Sequence, residues 1–335
     1  MTAFSGTPFP DTAAIAIGRN EGDRLIRCLA SLAAAGAGRI IYVDSGSTDG
    51  SVDAARAAGA EVVELDMTRP FTAARARNAG LERLDILPSG AQRPVFVQLV
   101  DGDCELRPDW IARARAFLLE TPKAAIACGR RRERFPEASV YNRLCDWEWD
   151  TPVGQAKACG GDALMRLVAL DQVGGYNPRV IAGEEPEMCV RLRQQGWEVW
   201  RLDAEMTLHD AAMTRFGQFW KRARRAGHAY AEGAAMHGAP PERHAVDRLK
   251  RALIWGAALP AAILVLAVLI SPLALLLALI YPVQIARLVP RLGGGQTGLE
   301  RASLLTAAKF AEAAGALEYY WRRQFGRPSG IIEYK

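Results

Sequence analysis

The feature that most constrains this chain is an uncharged stretch near its C-terminal end. Residues 252–286 contain no charged side chain over 35 positions. A helix of about 20 apolar residues already crosses a bilayer, so this stretch is too long for one straight span. Ser271 and Pro272 lie near its middle, and proline disfavours a helical residue before it and removes a backbone donor. We therefore predict two membrane spans, about 252–270 and 273–289, joined by a tight turn.

Basic residues flank both ends of this stretch, which favours a hairpin whose two ends lie on the cytoplasmic side. They are Arg243, Arg248, Lys250 and Arg251 before it, and Arg287 and Arg291 after it. Other arrangements stay open: a buried helical pair in a soluble protein, a single kinked span, and a hairpin that only dips into the membrane. Apolar side chains around the whole helix leave no face for water, which argues against the buried pair.

The remaining composition is typical of a folded protein that is not secreted. Half of the residues are hydrophobic and 24% are charged, which excludes wholesale disorder. A net charge of +5 is too small for a tail-driven nucleic-acid binder. The six cysteines are scattered without a C-x-x-C pair, which indicates a reduced, cytosolic environment. No basic region precedes an apolar run at the N-terminus, so we predict no signal peptide.

Apolar runs alternate with stretches of helical spacing in the N-terminal part. We predict strands at residues 13–17, 40–43, 61–65, 95–100 and 124–128. This alternation favours an α/β fold, a mostly parallel sheet with helices on both faces. Ligands bind at the carboxyl ends of the strands in such sheets, so the polar residues that follow each run are candidate site residues.

Four sequence pieces at these positions carry a specific resemblance. They are a strand followed by Asn-Glu, then V-D-S-G-S-T-D-G-S, A-R-N-A-G-L and L-V-D-G-D. In this order they resemble the family 2 inverting glycosyltransferases of GT-A fold, from about residue 13 to residue 205. The resemblance implies a nucleotide-sugar-binding domain and single-displacement sugar transfer.

The aspartates of the last piece are candidate metal ligands. Asp101 and Asp103 are two residues apart, so their side chains point the same way at an extended strand end. Hard divalent cations prefer oxygen ligands and neutralise a leaving diphosphate. The resemblance implies Mg²⁺ or Mn²⁺ on Asp103, with Asp101 beside it and His209 as a further ligand after a strand at 197–202 and a short loop. The alternative is a pair of acids that merely end a strand in solvent.

The resemblance also implies contacts to a UDP- or GDP-sugar donor. The candidate nucleotide-sugar-binding residues are Asn20, Glu21, Asp44, Arg77, Asp101 and Asp162. Asp44 falls on the family's base-contacting aspartate, and a guanidinium at Arg77 suits the diphosphate. Two alternatives stay open: Arg77 lies on a solvated helix face, and the glycines before Asp162 serve only a turn.

Glu185 is the candidate catalytic base. The segment 183–192 resembles the family's E-D-x-D-L-x-x-R-L segment, and Glu185 falls on its base, with glutamate in place of aspartate and Pro186 after it. A carboxylate beside the sugar can take the acceptor's proton. The alternative is an acidic helix N-terminus, which favours such residues anyway.

We therefore predict three segments: a glycosyltransferase domain at 1–245, a membrane hairpin at 246–290, and a Gly-rich break with an amphipathic tail helix at 291–335. The expected acceptor is lipid-linked or a glycan, the expected location is the inner membrane with the catalytic domain in the cytosol, and no nucleic acid is expected. The basic stretch 215–225 is interpreted as a helix at the anionic leaflet rather than a nucleic-acid site. A catalytically silent membrane partner is the alternative; a dinucleotide-dependent oxidoreductase is disfavoured because the first turn lacks G-x-G-x-x-G.

Overall fold

A computed structural model describes residues 9–326, which fall into two compact units. Unit 1 comprises residues up to Glu137 together with Cys145–Ala212, and unit 2 comprises Ala138–Leu144 together with the residues from Met213 onward. The predicted domain boundary at residue 245 therefore falls inside unit 2. The N-terminal segment 1–8 and the last nine residues of the predicted tail lie outside the described residues.

Unit 1 is built on a nine-stranded sheet. Its strands are β1 (Phe9–Gly18), β2 (Ala37–Asp44), β3 (Glu61–Glu64), β4 (Phe96–Asp101), β5 (Cys104–Leu106), β6 (Ala124–Glu133), β7 (Gly154–Ala156), β8 (Ala163–Arg166) and β9 (Glu198–His209). The spatial order is β3-β2-β1-β4-β8-β6-β9-β5, with β7 beside β9. The first four are parallel, whereas β8 runs antiparallel to both β4 and β6. The predicted α/β fold is confirmed, with a sheet that is more mixed than expected.

Seven helices accompany this sheet in the described part of the chain. They are α1 (Asp23–Ala34), α2 (Ser51–Ala57), α3 (Ala73–Asp85), α4 (Trp110–Glu120), α5 (Val140–Glu148), which passes from one unit to the other, α6 (Leu167–Val173) and α7 (Glu184–Gln194). Helix α1 buries Leu25, Cys28, Leu29 and Leu32, the spacing of one helical face. It ends before Gly36, whose φ of 89° a glycine adopts without strain.

The contact of α3 with the sheet places one of the site residues. Residues 13–16 of β1 are completely buried, as expected for a strand covered on both faces. Gly80 of α3 lies directly on this strand, because an added Cβ would come within 2.5 Å of Ile15 Cγ2. Arg77 is one helical turn earlier, so the close packing at Gly80 fixes the height of the guanidinium above the sheet.

Unit 2 is helical. Its helices are α8 (Phe216–His237), α9 (Val246–Leu253), α10 (Leu259–Leu269), α11 (Ile280–Leu288) and α12 (Gly295–Gln324). Helices α8 and α12 touch backbone to backbone, since a Cβ on Gly315 would collide with the Arg224 carbonyl oxygen. The predicted tail helix is thus α12, and several of its alanines are buried within unit 2.

Two helical segments of unit 2 are long and apolar enough to cross a membrane: Val246–Leu269, with 24 residues, and Pro272–Leu292, with 21 residues. The first overlaps the predicted span 252–270 up to Leu269, the second contains the predicted span 273–289, and both extend toward the basic flanks. Helix α10 ends before Ser271, whose hydroxyl accepts a hydrogen bond from the Leu273 amide. Little of either segment is buried within the described residues, and Val268 is 81% exposed. The two helices suggest membrane association.

Candidate functional site

The carboxyl ends of three parallel strands meet at one edge of the sheet in unit 1. Gly18 of β1 is in register with Asp44 of β2, and Ile17 is in register with Asp101 of β4. The Gly102 amide donates a hydrogen bond to the Ile17 carbonyl at 2.8 Å. The sequence-predicted residues after these strands are therefore neighbours.

Asp44 organises the loop that follows β2. Its carboxylate accepts hydrogen bonds from the Tyr42 hydroxyl at 2.9 Å and from the Gly46 and Ser47 amides at 2.8 Å each. The side chain is buried. Burial, followed by the charge of Asp44, raises the pKa of Tyr42 and keeps this phenol a donor.

Asn20 and Glu21 line the adjacent β1 turn. Asn20 has a φ of 55°, and its side-chain oxygen accepts a hydrogen bond from the Thr48 amide at 2.8 Å, which ties the two loops together. Glu21 forms an ion pair with Arg24 at 2.9 Å. Both residues follow the carboxyl end of β1, as predicted, and lie beside the loop after β2.

Arg77 joins the carboxylates of three residues from two separate segments. Its guanidinium donates to Asp101 Oδ1 and Glu184 Oε1 at 2.8 Å each, and lies 2.9 Å from Glu185 Oε1. The side chain is only 3% exposed, so Arg77 does not lie on a solvated helix face. Burial alone would lower the pKa of Arg77, but the charges of Glu185 and Asp101 outweigh it and raise the pKa. The guanidinium is held as a permanent buried cation.

Glu185 lies in the first turn of α7, after Gly183, which has a φ of 81°. Burial, and then the negative charge of Glu184, raise the pKa of Glu185 to about 7 against the opposing effect of Arg77. Glu185 is 9% exposed. A carboxyl that titrates near neutral pH is suited to accept a proton.

Asp162 lies next to Asp101 and is completely buried. It accepts hydrogen bonds from the Asp101 amide at 3.2 Å and the Thr207 hydroxyl at 2.8 Å, and it pairs with Arg131 at 2.8 Å. Burial alone would lower the pKa of Arg131, but the charge of Asp162 and those of its other anionic neighbours outweigh it and raise the pKa. Asp162 therefore positions the backbone of Asp101. The preceding Gly161 allows close approach, because a Cβ there would lie 2.7 Å from Asp101 Oδ2.

Asp103 and His209 form a buried pair, with Nε2 of the imidazole 3.4 Å from Asp103 Oδ2. His209 is the last residue of β9, which continues from Glu198 without the short loop that the sequence suggested before it, and His209 pairs with Cys104 of β5. His209 Nδ1 has no hydrogen-bond partner within residues 9–326, and Glu133 Oε2 lies 3.8 Å from it. The Trp149 ring packs edge-on against the imidazole at 4.8 Å.

These side chains fit a divalent cation. Asp103, Cys104 and His209 each offer a ligand atom, and the three atoms lie within 4.8 Å of one another. Asp101, Cys104 and Asp162 form a second such group. Carboxylate and imidazole ligands suit Mn²⁺, and a carboxylate near the other imidazole nitrogen is the usual support of a ligating histidine. Of the predicted ligands, Asp103 and His209 belong to the first group and Asp101 belongs to the second, and the two groups share Cys104.

Sequence reasoning missed several residues of this site. Glu133 and Arg131 belong to the part of β6 beyond residue 128, where the apolar run ends and strand prediction stops. Side chains alternate between the two faces along this polar end of β6. Arg131 therefore faces the acids of the site, whereas Arg130 and Arg132 face the other side. Trp149 gives no signal in the sequence beyond its aromatic character. Arg131 lies 5.5 Å from its ring centroid, so Trp149 contacts both this cation and the histidine.

Comparisons with known proteins show similarity over part of the chain. Residues 15–158 match the family described as Glycosyl transferase family 2. Succinoglycan biosynthesis protein ExoA of Rhizobium meliloti (strain 1021) is 25% identical over 192 residues, which cover 55% of this chain and 57% of that protein. The chain thus spans somewhat more than half of the length of this relative.

Among solved structures, the mannosyltransferase PcManGT from Pyrobaculum calidifontis, in complex with GDP-Man and Mn²⁺, is similar with a TM-score of 0.64. The two chains are 20% identical, and the likeness covers 96% of this chain and 91% of that chain. At this identity the likeness shows a shared fold.

Proposed function

Since residues 15–158 match glycosyl transferase family 2, we propose that this protein is an inverting glycosyltransferase. It moves a sugar from a UDP- or GDP-linked donor to a hydroxyl of a lipid-linked or glycan acceptor. The observation that carries the proposal is Arg77, which joins the metal-side carboxylate Asp101 to the candidate base Glu185 at 2.8 and 2.9 Å. The two carboxylates are thereby held around one buried cation.

The donor is proposed to bind at the strand ends, with its diphosphate near Asp101 and Asp103. Asn20, Glu21 and Asp44 belong to the two loops that would surround the nucleotide. A divalent cation, Mg²⁺ or Mn²⁺, would be held by Asp103, Asp101 and His209 and would supply charge neutralisation for the leaving diphosphate. The structure of PcManGT in complex with GDP-Man and Mn²⁺ supports this choice of donor class and metal.

The chemistry assigned to the chain is a single displacement. Glu185, in its ionised form, accepts the proton of the acceptor hydroxyl on a side-chain oxygen. The hydroxyl oxygen forms a bond to the anomeric carbon as the bond from that carbon to the diphosphate oxygen breaks, so the configuration inverts. Arg77 orients the Glu185 carboxylate and keeps part of it charged, despite the burial that raises its pKa to about 7.

The apolar hairpin supports a membrane location. We place the protein in the inner membrane with the catalytic unit in the cytosol, because basic residues lie at the two ends of the hairpin and none lies between its two helices. A lipid-borne intermediate of a cell-envelope polysaccharide is the acceptor class that such a location favours. The name of the relative ExoA, a succinoglycan biosynthesis protein, is consistent with a polysaccharide product.

The test is a thermal-shift screen of nucleotide sugars on the detergent-solubilised full chain, with and without Mn²⁺. A donor that binds the folded state should raise the unfolding temperature in the presence of the metal. Slow hydrolysis of that donor should then depend on Mn²⁺ and disappear in Asp103→Ala. Full activity in Asp103→Ala, with retained fold, would contradict the assignment.

The second candidate is a catalytically silent relative that serves as a membrane-bound partner. The buried Asp103–His209 pair and the buried Glu185 carboxyl weigh against it, since association with a protein partner requires neither a metal site nor a proton acceptor. Donor binding without any turnover, over all acceptors and metals tried, would favour this candidate.

A further inference from the structure

The metal candidates include a side chain of different chemistry from the acids. Cys104 is buried next to Asp103 and belongs to both groups of candidate ligands. Its thiol donates to Asp103 Oδ1 at 3.6 Å. Hard cations such as Mg²⁺ prefer oxygen ligands to sulfur, whereas thiolate ligands select Zn²⁺ and other softer ions.

The backbone explains why the thiol faces the histidine. Cys104 of β5 is directly opposite His209 of β9 in an antiparallel pair. Directly opposed residues of such a pair have their side chains on the same face of the sheet. The position is therefore fixed by strand register rather than by a flexible loop.

The distances suit a compact ion site. Asp103 Oδ2 lies 3.4 Å from His209 Nε2, and Cys104 Sγ lies 3.6 Å from Asp103 Oδ1. Two ligands of a tetrahedral ion are about 3.5 Å apart when the metal–ligand bonds are about 2.0–2.3 Å long. His209 is 6% exposed and directs Nε2 toward Asp103, whereas its Nδ1, which has no hydrogen-bond partner in residues 9–326, lies 3.8 Å from Glu133 Oε2.

We propose that Cys104, Asp103 and His209 form a thiolate–carboxylate–imidazole site that binds Zn²⁺ in preference to Mg²⁺ or Mn²⁺. This inference rests on the proposed function, whose metal site it shares, and adds the thiol as a selectivity-determining ligand. On binding, the thiol loses its proton to solvent and the sulfur–metal bond forms, with no change in oxidation state. Zn²⁺ is then a competitor of the metal that supports transfer.

The experiment uses Co²⁺ as a spectroscopic probe of the reduced, detergent-solubilised full chain. Wild-type protein should show a near-ultraviolet thiolate-to-cobalt band that Zn²⁺ abolishes by displacement. Cys104→Ser should lose this band and bind Zn²⁺ at least about tenfold more weakly, with Mn²⁺ affinity changed by less than about threefold because Mn²⁺ does not depend on sulfur.

Two other buried cysteines serve as matched controls. Cys128→Ser removes a thiol that donates to the Trp200 carbonyl at 3.4 Å and should keep the band. Cys28→Ser removes the thiol that lies 3.7 Å from the Asp101 carbonyl oxygen and should also keep it. Absence of the band in wild type, its persistence in Cys104→Ser, or its loss in Cys28→Ser would overturn the proposal.

Two further measurements keep the outcome decisive. If Cys104→Ser does not fold by circular dichroism, Cys104→Ala replaces it. If neither folds, X-ray absorption of the Zn²⁺-loaded Cys28→Ser protein decides by the presence or absence of a sulfur at about 2.3 Å. Nucleotide-sugar binding with Mn²⁺ is measured in parallel. If X-ray absorption shows no sulfur ligand while the donor still binds, only the proposal that Cys104 is a ligand is rejected. If the cobalt band is present but no donor binds, only the proposed glycosyltransferase function is rejected.

Discussion

Arg77 Nη1 lies 2.9 Å from Glu185 Oε1, and this contact connects two segments that are more than a hundred residues apart in sequence. The same nitrogen is 2.8 Å from Glu184, and the other end of the guanidinium holds Asp101. A planar fork of five donors can serve several carboxylates at once, which an ammonium cannot do in the same geometry. Arg77 therefore fixes the distance between the proposed base and the metal-side acid.

The first prediction concerns Arg77→Lys. We expect a folded protein with a lower kcat, because one ammonium cannot hold all three carboxylates. Since Arg77 lowers the pKa of Glu185 against the effect of burial, weaker pairing should move the titration of Glu185 to higher pH. The measurement is a pH–rate profile of donor hydrolysis or transfer. The control is Arg113→Lys, which should leave the profile unchanged. Arg113 lies on the exposed face of α4, where it pairs with Asp109.

The second prediction is the pH dependence of the wild-type enzyme. The pKa of Glu185 is raised from its ordinary value to about 7, so the carboxylate, the form that accepts a proton, predominates only above that pH. The rate of transfer should therefore rise as the pH increases through about 7 and then level off. A profile that is flat between pH 6 and about 8 would contradict base catalysis by a group of this pKa.

The third prediction separates catalysis from helix capping. Glu185→Gln should lower kcat by about 10²–10⁴-fold, the usual contribution of general base catalysis, with little change in donor affinity. Glu187→Gln is the matched control in the same helical turn, because Glu187 pairs with Arg191 at 2.7 Å within α7. It should affect stability more than kcat. Equal losses of donor binding and kcat in Glu185→Gln would favour the capping alternative.

Much of the fold is predictable from hydrophobic pattern because its strands are buried on both faces. The apolar run in β1 and the helical spacing in α1 predict where each of these elements ends to within a few residues. The ends of β6 and β9 are not predictable in this way, because their last residues are polar and charged where they reach the site. Strand register across the sheet brings Arg131 and His209 to the acids, and register is not visible in local pattern.

The site residues differ in how far the sequence indicates their environment. Asp101 and Asp103 follow a strong strand signal, so their shared position at the sheet edge is predictable. Burial of Arg77 is not, because it depends on carboxylates from α7 that are distant in sequence. The same holds for Glu133, whose proximity to His209 arises only when β6 pairs with β9.

The fourth prediction concerns Glu133, the carboxylate 3.8 Å from His209 Nδ1. Glu133→Gln should weaken Mn²⁺ binding by about 10–100-fold, because an outer carboxylate orients a ligating histidine and increases its basicity. The measurement is a metal titration of donor binding. The control is Glu105→Gln. Glu105 belongs to β5 and pairs with Arg27 of α1. Unchanged metal affinity in Glu133→Gln would contradict this orienting role and leave Glu133 as an acceptor for the Phe135 and Ala211 amides, at 3.0 and 3.1 Å.

The fifth prediction tests the apolar helices. Leu264→Arg places a charge within Val246–Leu269, where the insertion cost is about 2.5–3.5 kcal/mol, and should reduce the carbonate-resistant membrane fraction of the expressed protein. Leu299→Arg, at an exposed leucine of α12 outside the two apolar helices, should not. Reporter fusions at the two chain ends should both report the cytosol, since a hairpin returns the chain to the side from which it entered. Reporters on opposite sides would instead require one span, and the Ser271–Pro272 break would then be a kink within the membrane rather than a turn.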